Sequence, residues 1–260
     1  MKKIVALILC VLMVVAVFAA CSSGGSKVDE IKKNGELVML TNAAFPPYEY
    51  LGTDNKPAGV DVDICTAIAE ELGVELKVVD MDFDGLIPAL VAGKGDVVAA
   101  GLTVTDERKE AVDFSENYAT ATQYIIAKED DDSITCVEDL ADKVVGVQLG
   151  TTGDIYMSDD GMAKEIKQYK NALEASMDLA NGNIDAVVID KMPAESIVAS
   201  NSGLKLIGDA FGEEMYAIAI AKGNDDLVEV INSVVTKLFN DGTVDEWTQK
   251  HAELAAVAAE

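Results

Sequence analysis

The chain is short of the residues on which most enzyme and metal chemistry rests. It carries one histidine, His251, one tryptophan, four cysteines and 20 basic residues against 46 acidic ones, in a length of 260. One histidine and no Cys-x-x-Cys pair leave no ligand cluster for a structural zinc ion, and there is no Ser/His/Asp or Cys/His set for nucleophilic catalysis. A glycine-rich phosphate cradle is also missing, so neither cofactor nor metal is expected. The formal charge of −26 repels a phosphate backbone and excludes nucleic acid as a partner; it reads as a solvated acidic surface that keeps the protein soluble. What the chain does have is hydrophobic residues, 50% of the total, enough at this length to bury a substantial core.

Long apolar runs are equally scarce, and the only one opens the chain. Lys2 and Lys3 are followed by apolar residues from Ile4 to Phe18 and by the small residues Ala19 and Ala20. This is the layout of a secretory signal over 1–20, and the run is shorter than the roughly 20 apolar residues of a membrane span. Removing it leaves 18 basic against 46 acidic residues, a charge of −28. Phe18-Ala19-Ala20-Cys21 followed by Ser22-Ser23-Gly24-Gly25-Ser26 resembles a bacterial lipoprotein cleavage site. The resemblance implies acyl chains on Cys21, a lipidated tether over 21–26, and a protein held at the outer face of the cell membrane without spanning it. Cys10 leaves with the signal, and Cys65 and Cys136 are read as two unpaired thiols, since nothing in the sequence brings them together.

The remainder alternates between strand and helix patterns. A buried strand at 37–40 precedes a loop at 41–48, where Pro46-Pro47 cannot continue a ladder. Ile64, Ile68 and Leu72 recur at helical spacing before a stop at Gly73, and a strand follows at 75–79. A helix at 86–91 and a strand at 97–100 flank the turn Gly93-Lys94-Gly95. The second half repeats the grammar: a strand at 144–147, helices at 162–169 and 173–180, and Gly182-Asn183-Ile184-Asp185-Ala186-Val187-Val188 echoing Gly93-Lys94-Gly95-Asp96-Val97-Val98. Such alternation favours α/β units with mostly parallel sheets. The extended segments 124–127 and 216–221 read as paired crossovers. On that reading the first lobe is discontinuous, 27–126 with 222–260, and the second is 127–221.

Gly59-Val60-Asp61-Val62-Asp63-Ile64, ahead of an apolar helix, resembles the signature of the family 3 extracellular solute-binding proteins, the polar amino acid receptors of ABC importers. Five further segments match in order: Phe45-Pro46-Pro47-Tyr48-Glu49, Met81-Asp82-Phe83-Asp84-Gly85, Gly101-Leu102-Thr103-Val104-Thr105-Asp106-Glu107-Arg108, Gly150-Thr151-Thr152 and Asp185-Ala186-Val187-Val188-Ile189-Asp190. The glutamine-binding members look especially similar. The resemblance implies the two-lobe periplasmic-binding-protein-like α/β fold, hinge closure on a free amino acid, a permease and its ATPase as partners, and a monomer. The alternating Asp61 and Asp63 are read as architectural.

A free amino acid presents a carboxylate, an ammonium and a side chain, and candidates exist for each. Arg108 can clamp the carboxylate through two parallel N–H donors, helped by the Thr103 hydroxyl and the backbone at Gly101; the alternative is a helix-surface ion pair with Glu107 or Glu110. Asp190, at the end of an apolar strand, would meet the ammonium, unless it only caps the turn before Pro193. Phe45 and Phe83 correspond to aromatics that sandwich the ligand side chain. Gln148, Thr151 and Thr152 would approach from the second lobe. Gln148 replaces a lysine and Asn42 an aspartate of the glutamine-binding relatives, which favours a neutral polar ligand and allows a basic one. Two other functions share this scaffold, an exported dehydratase-like enzyme, with Glu49 as its acid or base, and a sensor module feeding a signalling receptor. The absence of any catalytic set argues against the enzyme.

Overall fold

The computed structural model describes residues 25–159 and 161–258. The signal over 1–20, the lipid on Cys21 and most of the tether lie outside the described residues. Among the described residues no helix is long and apolar enough to cross a membrane.

The first sheet grows from strands whose buried residues were legible as apolar runs. β1 (Glu36–Thr41) pairs in parallel with β5 (Glu75–Asp80) on one side and β6 (Val97–Val98) on the other. Antiparallel β13 (Ala219–Ala221) and β7 (Val112–Phe114) complete it, in the order β5-β1-β6-β13-β7. Between β1 and β5 the short strands β2 (Ala44–Phe45), β3 (Glu49–Leu51) and β4 (Pro57–Ala58) form a separate small sheet. α1 (Lys27–Asn34) and α2 (Val60–Leu72) pack with the later helices α8 (Asp225–Asn240) and α9 (Thr243–Ala258). Ile64, Ile68 and Leu72 of α2 are buried as their four-residue spacing requires. The other face of the sheet is covered by α3 (Leu86–Val91), which buries Leu86 and Leu90 against Leu40 and Val98.

The second sheet has the order β10-β9-β11-β8-β12. Its strands are β8 (Ala119–Lys128), β9 (Val144–Gln148), β10 (Glu165–Tyr169), β11 (Ala186–Asp190) and β12 (Leu204–Tyr216). Helices α5 (Thr152–Asp159), α6 (Ala172–Asn181) and α7 (Lys191–Ala199) flank it. α4 (Asp106–Ala111) belongs to the first lobe, capped by Thr105, whose hydroxyl accepts from Arg108 N–H at 3.1 Å.

Each sheet is mixed but mostly parallel as expected: four of its five strands run one way, and a single strand, β13 in the first sheet and β8 in the second, runs against them. Two expectations shift. The segment 124–127 lies inside β8, bonded to β11 and β12 on its two sides. The passages between sheets therefore fall nearer 114–119 and 216–219, where Tyr118 N–H donates to Tyr216 O at 3.0 Å and Ser115 N–H to Ile218 O at 2.9 Å. Finally, 165–169, read as helix, forms the edge strand β10, paired in parallel with β9; sheet pairing overrides a local pattern that suits either state. Cys65 is buried in α2 and neither it nor Cys136 is in a disulfide.

Candidate ligand-binding site

The loops after the parallel strands of both sheets face one another, and the cavity between them is where the proposed residues meet. Asn42, Phe45, Phe83, Gly101, Thr103 and Arg108 from the first lobe and Gln148, Thr151, Thr152 and Asp190 from the second all line it, together with Glu49. Its volume is about 10 Å³, room for about one water, so anything of amino acid size must part the lobes to enter.

Arg108 is no surface ion pair. It is 9% exposed; Nη1 donates to Thr103 O at 2.7 Å and Nη2 to Gly150 O, across the cavity, at 2.9 Å. The guanidinium carbon stands 5.6 Å from the centre of the Phe83 ring, within cation–π range. Burial lowers its pKa, against the charges of Glu214 and Asp190. A guanidinium has five N–H donors in a rigid fork, and two of them are engaged in these bonds.

Asp190 stands at the N-cap position of α7 yet makes no capping bond with its side chain. It is 5% exposed and, among the described residues, its Oδ1 has no hydrogen-bond partner. Burial, then the charge of Glu214, pushes its pKa up to about 7. A buried carboxylate of this kind is a costly arrangement in isolation and well suited to a cation.

The small sheet supplies what the sequence reading missed. Phe45 and Glu49 are directly opposite on β2 and β3, so both point to the same face, that of the cavity. Tyr50, the next residue, points the other way, its OH 3.0 Å from Nδ1 of His251. Glu49 is fully buried, and among the described residues no N–H or hydroxyl donates to its carboxylate oxygens. Burial, and then the Asp61 carboxylate through its charge and a shared hydrogen bond, raises its pKa well above the usual range. The signal was available: Glu49 sits between Tyr48 and Tyr50, and period-two alternation sets it on a different face from both.

The remaining residues hold the frame. Gly101 has φ +50°, and a Cβ there would lie 2.8 Å from the Phe45 ring; only glycine fits. Its N–H donates to Asp61 Oδ2 at 2.8 Å, as does Tyr118 OH at 2.9 Å, so that N–H is not free for a ligand. Burial lifts Asp61 to a pKa of about 6. Asp63 is 2.9 Å from His251 Nε2, which ties α9 to α2; His251 is thus a buried bolt, not part of a loose tail. Across the cavity Gln148 Nε2 donates to Asn42 Oδ1 at 2.9 Å, and Asn42 Nδ2 donates to Met81 O at 2.9 Å. Thr151 donates its hydroxyl to Gln148 O at 2.8 Å. Thr152 is the first residue of α5, so a helix N-terminus, which favours anions, begins at the cavity.

Residues 37–253 match the bacterial extracellular solute-binding proteins, family 3. The chain belongs to this family. It is 30% identical to the L-cystine-binding protein TcyJ of Escherichia coli K12, over 86% of this chain and 85% of that one. Among solved structures it resembles the P235GK mutant of ArgBP from T. maritima, with a TM-score of 0.83, 42% identity, and coverage of 87% of this chain and 99% of that one. It also resembles AbpA of Streptococcus pneumoniae, an amino acid ABC transporter substrate-binding protein bound to L-arginine, with a TM-score of 0.85 and 31% identity over 88% of this chain and 99% of that one. Family 3 members are binding proteins, and the extracellular setting agrees with the secretory reading.

Proposed function

We propose that this protein captures a basic amino acid, arginine foremost, between its lobes and passes it to the permease of an ABC importer. The observation that carries the specificity is Glu49, a fully buried carboxyl set among other acids, Asp61 first, in a cavity that also holds Phe45 and Phe83. A neutral side chain leaves this acidic cluster without a counter-charge, whereas a guanidinium or ammonium draws off its proton and pairs with it. This moves the ligand preference from the neutral side chains favoured by Asn42 and Gln148 to basic ones. The arginine-bound streptococcal relative supports the same choice. In this reading Arg108 holds the ligand carboxylate, Asp190 the ammonium, and the aromatic rings the side chain. Because Arg108 and Asp190 stand on different lobes, only the closed form makes both contacts, and that difference drives closure.

The lobes are taken as the first sheet with its helices and the second with its own, joined at 114–119 and 216–219. The protein acts as a monomer, anchored at the outer face of the membrane through lipid on Cys21. Thermal unfolding of protein stripped of carried-over ligand, against the standard amino acids with ornithine and cystine, tests the assignment, since a ligand bound only by the native state raises the midpoint. The expected order is arginine first, then lysine and ornithine, with glutamine and cystine behind. A larger rise with a neutral amino acid would overturn the specificity, and no rise with any would overturn the amino acid reading.

A further inference from the structure

Polar contacts hold α9 to the first lobe. His251 Nε2 stands 2.9 Å from Asp63 Oδ2 of α2, its Nδ1 stands 3.0 Å from Tyr50 OH of β3, and Lys250 Nζ lies 3.5 Å from the same Asp63 oxygen. The helix also packs along α7 of the second lobe. Val244 of α9 shares one apolar cluster with Ala194 and Ile197 of α7 and with the partly buried Met192 and Trp247. The two helices run side by side in the same direction. Val244, Asp245 and Thr248 line a groove with Lys191 and Met192, and further along Ala255 and Ala258 line another with Ile197, Ser200 and Asn201.

The seam between these helices begins beside the crossovers, since Tyr118 and Tyr216 line the first groove, and reaches the rim of the cavity, since Ala43 and Pro46 line the second. A rotation about the crossovers therefore separates its far end most. With the cavity shut to about 10 Å³, Ala255 is 5% and Ile197 8% exposed. Parting the lobes carries α7 away with the second lobe and returns this apolar surface to water, which opposes opening. The closed form thus has a contact that the open form lacks, made outside the ligand cavity, and a differential contact shifts an equilibrium. The seam is also incompletely filled. Its outer groove encloses about 490 Å³ between Leu51 and Ala258 of the first lobe and Leu173 and Ile197 of the second.

We propose that α9 is a closure strap: bolted to the first lobe through His251, it docks its Ala255 and Ala258 face on α7 and sets the balance between open and closed lobes, and with it the ligand affinity, without touching the ligand. The inference rests on amino acid capture by lobe closure and adds to it an element that tunes the capture from outside the cavity. Because α7 begins at Asp190, the strap bears on the same helix that presents the second lobe's acid.

The test measures L-arginine affinity by titration calorimetry and the dissociation rate by stopped flow, followed through the fluorescence of Trp247, the chain's single tryptophan, which stands on α9. Ala255→Glu puts a charged side chain into the seam. Its affinity is expected to fall about tenfold, through faster dissociation at an unchanged association rate. Ala258→Leu fills part of the outer groove and is expected to tighten binding about threefold. Ala252→Glu, on an exposed face of the same helix, controls for added negative charge and should change affinity by less than about twofold. General damage to the fold does not produce opposite shifts from two substitutions outside the cavity. Unchanged or tighter binding by Ala255→Glu overturns the proposal, as does weaker binding by Ala258→Leu or a fall in Ala252→Glu that matches the one in Ala255→Glu. If Ala255→Glu does not fold, Ala258→Glu, at the half-buried edge of the seam, takes its place with the same expected direction. A wild type that binds neither L-arginine nor any other standard amino acid brings down the capture reading itself, a result distinct from binding that is intact but insensitive to α9.

Discussion

In the first sheet Asp96 Oδ2 accepts from Val38 N–H at 2.8 Å and Asp96 N–H returns a bond to Val38 O at 2.8 Å; in the second, Asp185 and Val144 repeat both bonds, again at 2.8 Å. The strand orders correspond as well, β5-β1-β6-β13-β7 against β10-β9-β11-β8-β12, with the same sequence of parallel and antiparallel pairings. The two aspartates stand just after the Gly93-Lys94-Gly95 and Gly182-Asn183 turns whose echo was visible in the sequence. At the cavity the likeness ends. The first lobe contributes a guanidinium, two aromatics and the Glu49 carboxylate, while the second contributes Asp190 at the end of a fully buried strand. The frame is built twice from one plan, and the chemistry at its ends is not repeated: the cation and the aromatics stand on the first lobe, and an acid stands on each.

The strongest way to test that asymmetry is to remove one charge from each side. Arg108→Ala and Asp190→Asn are each expected to weaken a basic amino acid by about 2–5 kcal/mol, the cost of truncating one partner of a buried charge pair. Without ligand their effects should diverge. Arg108→Ala should destabilise the fold, because Thr103 O and Gly150 O lose their donors. Asp190→Asn should stabilise it, because a buried charge is removed. Titration calorimetry and urea unfolding read the two quantities, and unfolding changes of the same sign would break the comparison.

The next effect comes from pH. Asp190 at about 7, Asp61 at about 6 and Glu49, also raised, all bind protons more tightly in the fold than the ordinary carboxylate values of the unfolded chain. Their contribution to stability is therefore complete below about pH 4, and that of Asp61 and Asp190 is lost as pH rises through 6 and 7. Ligand-free protein should be more stable at pH 5 than at pH 8, by about 4 kcal/mol from these two groups, and saturating arginine should shrink the difference. Urea midpoints at the two values check this, and greater stability at pH 8 would mean that these carboxylates already have cationic partners.

The smallest effect tests the repeated device itself. Asp96→Ala and Asp185→Ala should each cost about 1.5 kcal/mol for the lost backbone bond. Asp96 should cost somewhat more, since it also pairs with Lys27 Nζ at 2.8 Å in a part-buried setting. A larger loss at Asp185 would show that the two turns do not carry equal weight.

How much could be read beforehand follows from how far each signal reaches along the chain. α2 and β1 announce themselves, α2 through the local periodicity of Ile64, Ile68 and Leu72 and β1 through a short apolar run, because their burial is set by neighbours in sequence. The ten residues singled out for the ligand converge on one cavity; they sit in short segments that match a known pattern. Glu49 was weighed only as an acid or base of the enzyme alternative, although its alternation with Tyr48 and Tyr50 already pointed it inward. Glu214 was not visible at all. Glu213 and Glu214 in sequence look like a solvated strand face, and nothing local says that one of them meets Thr103 and Thr152, separated from it by 111 and 62 positions. The strand 165–169 was misjudged for the same reason, since its pairing with β9 is not a local property.

By itself the sequence determined the α/β class, the doubled unit and the residue types at the cavity, because hydrophobic spacing, turn chemistry and short motifs are written in consecutive residues. Only the tertiary structure decided where the chain crosses between sheets, which carboxyl groups are buried, and that Thr103 and Thr152 meet Glu214. Those depend on distances between residues far apart in the chain, and on how much water the packed lobes exclude from between them.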